Sequence, residues 1–134
     1  MKRFLLIFVC FSIMVLTSAC QEKPRILFYR NPVTKENVKS PSKIFLSGEK
    51  IYYLVVFSEK IKSRYLDVRV IKSSKYNQYG YKLFWSKLVR LSDEEETYFT
   101  DYFVIGEDGY YTMKIYTQDS PNRVYASEEF KIQK

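Results

Sequence analysis

From Lys43 to the C-terminus the chain alternates, and that alternation limits the fold more than any other feature. Ile51, Tyr53, Val55 and Phe57 share one parity, with Tyr52, Leu54, Val56 and Ser58 on the other. Residues two apart share a strand face, so this strand is apolar on both faces, as in the middle of a sheet. Leu66, Val68 and Val70 alternate with Asp67, Arg69 and Ile71, the pattern of a half-buried strand. Tyr79, Tyr81, Leu83 and Trp85 fall on one parity, and Tyr98 to Ile105 is aromatic and β-branched. Tyr111, Met113 and Ile115 alternate with Tyr110, Thr112 and Lys114, and Val124, Ala126, Phe130 and Ile132 make a last strand whose apolar parity Glu128 breaks. Arg25 to Tyr29 reads as an earlier strand, before a polar loop over residues 31–42 that holds Asn31-Pro32 and Ser40-Pro41. Residues 82–91 leave two readings open, a strand or a short helix. Ser47-Gly48, Asp108-Gly109 and Ser120-Pro121-Asn122 supply turns. The sum is an all-β chain of about seven short antiparallel strands, the pattern of a sandwich.

The N-terminal segment is of another kind. Lys2 and Arg3 precede Phe4 to Leu16, which is apolar apart from Ser12, and Thr17-Ser18-Ala19-Cys20 follows. That is the layout of a secretory signal peptide. Its end resembles the lipobox of bacterial lipoproteins in a relaxed form, with Thr17 where leucine is usual and Leu16 one step further back. The resemblance implies cleavage before Cys20 and acylation of Cys20, palmitate included. An ordinary cleavable signal that happens to precede a cysteine is one alternative. An uncleaved anchor is another, though a spanning helix needs about 20 apolar residues. The expected organisation is a signal peptide over 1–19, a lipidated cysteine and short tether over 20–24, and a β-sandwich over 25–134. A membrane would then hold the domain in the cell envelope. Gln21, rather than aspartate, after the cysteine leans toward the outer membrane or cell surface.

On that reading no thiol is left to form a disulfide, because Cys10 leaves with the leader and Cys20 is acylated. The core must rest on packing; Phe4, Phe8 and Phe11 leave with the leader, and all 13 tyrosines, the other phenylalanines and Trp85 remain to supply large buried area. The net charge of +7 stays positive once Lys2 and Arg3 are removed. In an exported protein that charge suits anionic head groups, acidic glycans or an acidic protein, or simply keeps the domain soluble; nucleic acid is not expected.

There is no histidine. The usual general base near neutral pH, the Ser-His and Cys-His nucleophile systems and histidine-ligated metal sites are all excluded. Carboxylates, lysines and tyrosines remain, without a catalytic spacing, and only a glycosidase-type carboxylate pair stays open. The expectation is a protein that is not an enzyme, with no cofactor and no metal.

Glu107-Asp108-Gly109-Tyr110-Tyr111-Thr112-Met113 resembles the immunoglobulin-fold signature acid-x-Gly-x-Tyr-x-Cys. The resemblance puts Glu107 at the acidic position, Gly109 at the glycine and Tyr111 at the tyrosine corner, its hydroxyl bonding back just upstream. Met113 stands in place of the cysteine. The run from Phe45 through Ser47-Gly48-Glu49-Lys50-Ile51 looks like the beginning of an early strand in bacterial immunoglobulin-like domains. Another sandwich or a small barrel is the competing fold.

Tyr76 and Tyr79, in Ser73-Ser74-Lys75-Tyr76-Asn77-Gln78-Tyr79-Gly80-Tyr81, are the candidate ligand-binding residues. The mixture is that of antibody loops, where tyrosine gives contact area at low entropic cost. An ordinary hairpin that covers the sandwich edge explains the same residues. Lys60, Lys62 and Arg64 read as a basic strip or a charged edge, and Asp93-Glu94-Glu95-Glu96 as a solvated turn, since it lacks the spaced ligands of a calcium loop. The functional expectation is a binding or accessory module for a protein or glycan. A protease inhibitor with an immunoglobulin-like fold is the alternative.

Overall fold

The computed structural model describes residues 23–73, 81–95 and 97–134. They form eight strands and no helix: β1 (Arg25–Tyr29), β2 (Ile44–Leu46), β3 (Lys50–Val56), β4 (Tyr65–Ser73), β5 (Tyr81–Arg90), β6 (Tyr98–Val104), β7 (Gly109–Thr117) and β8 (Ala126–Gln133). Two sheets pack face to face, one in the order β1-β3-β6 and the other β2-β8-β7-β4-β5. This is an immunoglobulin-like sandwich.

The alternation explains the packing. Ile51, Tyr53 and Val55 of β3 are fully buried between the sheets, and so are Leu66, Val68 and Val70 of β4. Burying a side chain of this size contributes about 1.5–3 kcal/mol, which is how a sandwich without a crosslink holds. Phe130 of β8 is the hub of the core. Its ring centroid lies 4.9 Å from that of Phe28, 5.6 Å from Phe103 and 5.5 Å from Tyr111, with Phe45 at 6.4 Å. Met113, where the signature has cysteine, is fully buried in the same cluster.

The expected all-β sandwich is borne out, and eight strands agree with about seven. One correction concerns direction, since the strands are not all antiparallel: β2 runs parallel to β8, Ile44 opposite Lys131 and Leu46 opposite Gln133. The chain switches sheets between β1 and β2, and the three residues of β2 are too short to show a period. Residues 82–91 hold a strand, β5, up to Arg90. The shared parity of Leu83 and Trp85 also fails. The β4–β5 ladder slips between Val70 and Ile71, with Trp85 opposite Val70 and Leu83 opposite Ile71. That leaves Phe84 as the extra residue of a bulge, so Phe84 and Trp85 both pack against the core while Leu83 is 54% exposed.

The two ends of the sandwich differ. Arg25 pairs with Val56, Val56 with Tyr98, and Leu66 with Thr117. The Tyr125 hydroxyl accepts from the Ser58 amide at 3.3 Å and its ring lies 6.2 Å from Phe57, which ties the two sheets together at this end. Pro24 sits here beside Thr117, Ser120 and Tyr125. The opposite end carries the Ser47–Gly106 contact (2.6 Å), the start of β7 and the last residue of β4.

Candidate binding surface

The outer face of the three-stranded sheet is unusually apolar. Tyr52, Leu54 and Val56 of β3 and Tyr98, Thr100, Tyr102 and Val104 of β6 have the parity opposite to the core residues, and of these only Leu54 is buried. On β6, Tyr98 is 58% exposed, Val104 49% and Tyr102 47%. The Tyr52 and Tyr102 rings lie 5.7 Å apart, and the Lys50 ammonium sits 4.9 Å from the centre of the Tyr102 ring. Such a cation–π contact adds about 0.5–1 kcal/mol at an exposed site.

One part of this face is covered by the segment that precedes β2. Asn37 shapes it: its Oδ1 accepts from the Thr34 amide at 2.7 Å, and its Nδ2 donates to the Pro32 carbonyl at 2.8 Å. The Tyr29 hydroxyl then donates to the Val38 carbonyl at 2.7 Å and pins the segment to β1. Burial pushes the Tyr29 hydroxyl above its ordinary pKa, and the charge of Arg25 offsets part of that rise. The result is a groove of about 620 Å³ between Val33 and Val38 on one side and Leu54, Val56 and Tyr98 on the other. That volume is within the range of ligand sites, about 300–1,000 Å³. The sequence marked residues 31–42 only as a loop. The signal it held was the segment Tyr98 to Ile105, with large apolar residues on both parities; that this strand ends its sheet is set by the fold.

The residues singled out in sequence are scattered. Cys20, Tyr76 and Tyr79 lie outside the described residues. The strand ends that flank Tyr76 and Tyr79, Ser73 and Tyr81, pair with each other at the end opposite Pro24. Glu107, Gly109 and Tyr111 meet at that same end. The Tyr111 hydroxyl donates to the Glu107 carbonyl at 2.7 Å, and its ring stacks on Phe130 at 12°. Burial first, then the charges of Glu107 and Asp108, push its pKa up to about 12. The Glu107 carboxylate pairs with Lys72, whose side chain crosses the place where a Cβ on Gly109 would stand, 2.7 Å from it. With φ at +150°, Gly109 has two reasons to be glycine.

Lys60, Lys62 and Arg64 do not form a strip on a strand; they lie on the connection between β3 and β4, and Arg64 pairs with Asp93 at 3.1 Å. Glu95 caps the turn after β5 by accepting from the Ser92 amide at 3.0 Å. Among the described residues no three His, Cys, Asp or Glu side chains gather closely enough to hold a metal ion, and no helix is long and apolar enough to cross a membrane.

No protein-family model and no curated protein matches this chain. Solved structures do. The chain is similar to superoxide reductase (neelaredoxin) from Ignicoccus hospitalis, at 10% identity over 88% of this chain and 86% of that one, with a TM-score of 0.50. A variant of that reductase gives 10% identity, 87% and 85% coverage and a TM-score of 0.51. The PmoD soluble domain from Methylocystis sp. ATCC 49242 (Rockwell) gives 10%, 82% and 90%, with a TM-score of 0.48.

The reductase likeness shows the fold alone, and it corrects one expectation. The same sandwich serves as an enzyme in the reductases, so a chain with this fold is not thereby a non-enzyme. The missing histidine removes particular chemistries and not catalysis as a class, because function resides in sites grafted on a fold.

Proposed function

We propose that the chain is an envelope lipoprotein, held to a membrane through acylated Cys20, that works by gripping a protein partner on the outer face of its three-stranded sheet. The observation that carries the binding role is the row of Tyr98, Tyr102 and Val104 along β6, each about half exposed, with Tyr98 also lining the Leu54–Val56 groove. A monomeric domain seldom leaves large apolar side chains contiguous on one strand face unless something covers them. The anchoring role rests on the positive head, the apolar segment and the small residue before Cys20. β1 begins at Arg25, so five peptide units separate Cys20 from the sandwich. At about 3.4 Å per residue the domain stays within roughly 17 Å of the lipid surface. Gln21 favours the outer membrane.

Two measurements on cells test the two halves. Labelled palmitate is expected on the wild-type protein and not on Cys20→Ser; equal labelling of both refutes the anchor. A photo-crosslinking residue at position 102 is expected to trap one discrete protein adduct, and the same residue at Ser127 on the opposite sheet is not. Equal adducts from both positions, or none from position 102, refute the binding face.

A further inference from the structure

The five-stranded sheet carries a second hollow, on its outer face and at the end where Pro24 lies. Its floor is set by register. Asp67 of β4 stands between Leu88 of β5 and Tyr116 of β7, its partners on either side, and Tyr65 is two residues back on the same face. With Thr117, Gln118 and Pro121 from the end of β7 and the following turn, these residues line a cup of about 410 Å³. Leu88 is 69% exposed at its rim.

The polar groups in the cup are fixed in place. Arg69 Nε and Nη2 both donate to Asp67 Oδ2, at 3.0 and 2.6 Å, and the Arg69 guanidinium lies 4.6 Å from the centre of the Tyr116 ring. One carboxylate oxygen is thus occupied while Oδ1 still has acceptor capacity. The stacked Arg69 also fixes the attitude of Tyr116.

The chemistry selects a ligand class. Asp67 and Arg69 cancel in charge, so a cation gains no net attraction from them; the neighbouring cations on this face are Arg90, opposite Tyr65 and exposed to solvent, and Lys114, opposite Arg69 and itself engaged, and neither lines the cup. A wholly apolar ligand would cover Asp67 Oδ1, the two phenols, Thr117 and Gln118 without pairing them, at about 1–3 kcal/mol for each buried group. A neutral ligand that presents hydroxyls on its edge and C–H groups on its faces satisfies both sets. Adjacent hydroxyls donate to the carboxylate in charge-assisted bonds, and the C–H face lies on Tyr65, Tyr116 and Leu88.

We propose that this cup, formed by Tyr65, Asp67, Leu88 and Tyr116, binds a neutral sugar unit of a glycan. The site is separate from the protein-binding face and stands whether or not Cys20 is acylated. A sugar of this kind reaches the cup either as a soluble oligosaccharide or as a glycolipid head group.

The test uses the full chain, isotope-labelled in zwitterionic micelles and titrated with chitotetraose, maltotetraose, xylotetraose and mannotetraose. At least one is expected to bind saturably, with amide shifts at residues 65–67, 88 and 116–118. Tyr116→Ala and Asp67→Asn are each expected to weaken it about ten-fold or more, the loss of about 1.4 kcal/mol. Leu88→Ala, at an exposed site that carries no folding risk, is expected to weaken it less. Tyr110→Ala, at the other end of the sheet, leaves binding unchanged. Adding glucosyl-diacylglycerol to the same micelles, against diacylglycerol without the sugar, tells the two sources apart. Amide shifts at the cup residues with the glycolipid only indicate a head group, and shifts with a soluble sugar but not with the glycolipid indicate a free glycan. No saturable shift with any of the four sugars and none with the glycolipid overturns the proposal. So does binding that survives both Tyr116→Ala and Asp67→Asn.

Discussion

Lys87 of β5 donates to the Asp101 carboxylate of β6 across 2.8 Å, and the contact joins the two strands that end their sheets on the same side of the sandwich. Both residues have the inward parity of their strands, Lys87 with Trp85 and Val89, Asp101 with Phe99 and Phe103. The smaller sheet has three strands, as in constant-type immunoglobulin sandwiches, and β6 ends it. Inward-pointing charge is one way a sandwich protects such edges, because a strand added there would bury the charge.

The pair therefore guards against association more than it adds stability. A half-exposed ion pair contributes about 1 kcal/mol or less. Replacing Lys87→Val and Asp101→Val together is expected to leave the thermal midpoint within a few degrees of wild type while converting a monomer to dimers and larger species. Light scattering across a concentration series reads this. A double variant that stays monomeric at every concentration refutes the guarding role.

Tyr53 makes the opposite prediction. Its ring is fully buried against Phe99 and Phe103, yet its hydroxyl has no hydrogen-bond partner among the described residues. Burial, with the Asp101 charge adding to it, pushes the hydroxyl pKa far above its ordinary value. A buried unpaired polar group costs about 1–3 kcal/mol, so Tyr53→Phe is expected to stabilise the domain by about 1 kcal/mol or more in urea unfolding. A destabilised variant would show that the hydroxyl is satisfied.

Tyr111→Phe removes the 2.7 Å bond to the Glu107 carbonyl without opening a cavity. The expected loss is about 1 kcal/mol at neutral pH. The loss depends on pH. The folded chain holds the Tyr111 proton up to about 12, whereas the unfolded chain releases it near 10.0. In that window the unfolded state binds fewer protons, so stability falls as pH rises. The contribution of the hydroxyl is whole below pH 10 and is lost through pH 12. The gap between wild type and Tyr111→Phe is expected to close over that range; a gap that stays constant refutes the assignment.

On the exposed face, Tyr102→Ser removes the ring contacts with Tyr52 and Lys50 and is expected to cost about 1 kcal/mol of stability, leaving the domain folded, and to abolish the discrete adduct trapped from a crosslinker at position 104. Retention of that adduct would move the binding face elsewhere.

The strands most legible in the sequence are those with one wet face. Tyr65–Ser73 and Gly109–Thr117 alternate cleanly because they lie inside a sheet packed on one side only. β2 was illegible, since its three residues take their place from β8 rather than from any pattern of their own. The bulge at Phe84 was illegible too, because parity along a strand says nothing of where a ladder slips. The glycine and tyrosine of the 107–113 motif could be read because each answers a local geometric demand. The two candidate sites could not. The groove joins Val33 and Val38 to residues about 20 and 60 positions further on, and the cup joins three strands whose register only the fold sets.

The exchange of sheets between β1 and β2 has a mechanical consequence. Tension applied through the residues before Arg25 pulls β1 along its own axis, against the five register pairs it makes with β3. All of those pairs are loaded at once, in shear, and cannot be unzipped one after another. Should β1 yield, the force passes to β2, which lies alongside β8 in the other sheet and is sheared in turn. A strand split in this way gives a small domain two successive clamps against being drawn out from its N-terminal end.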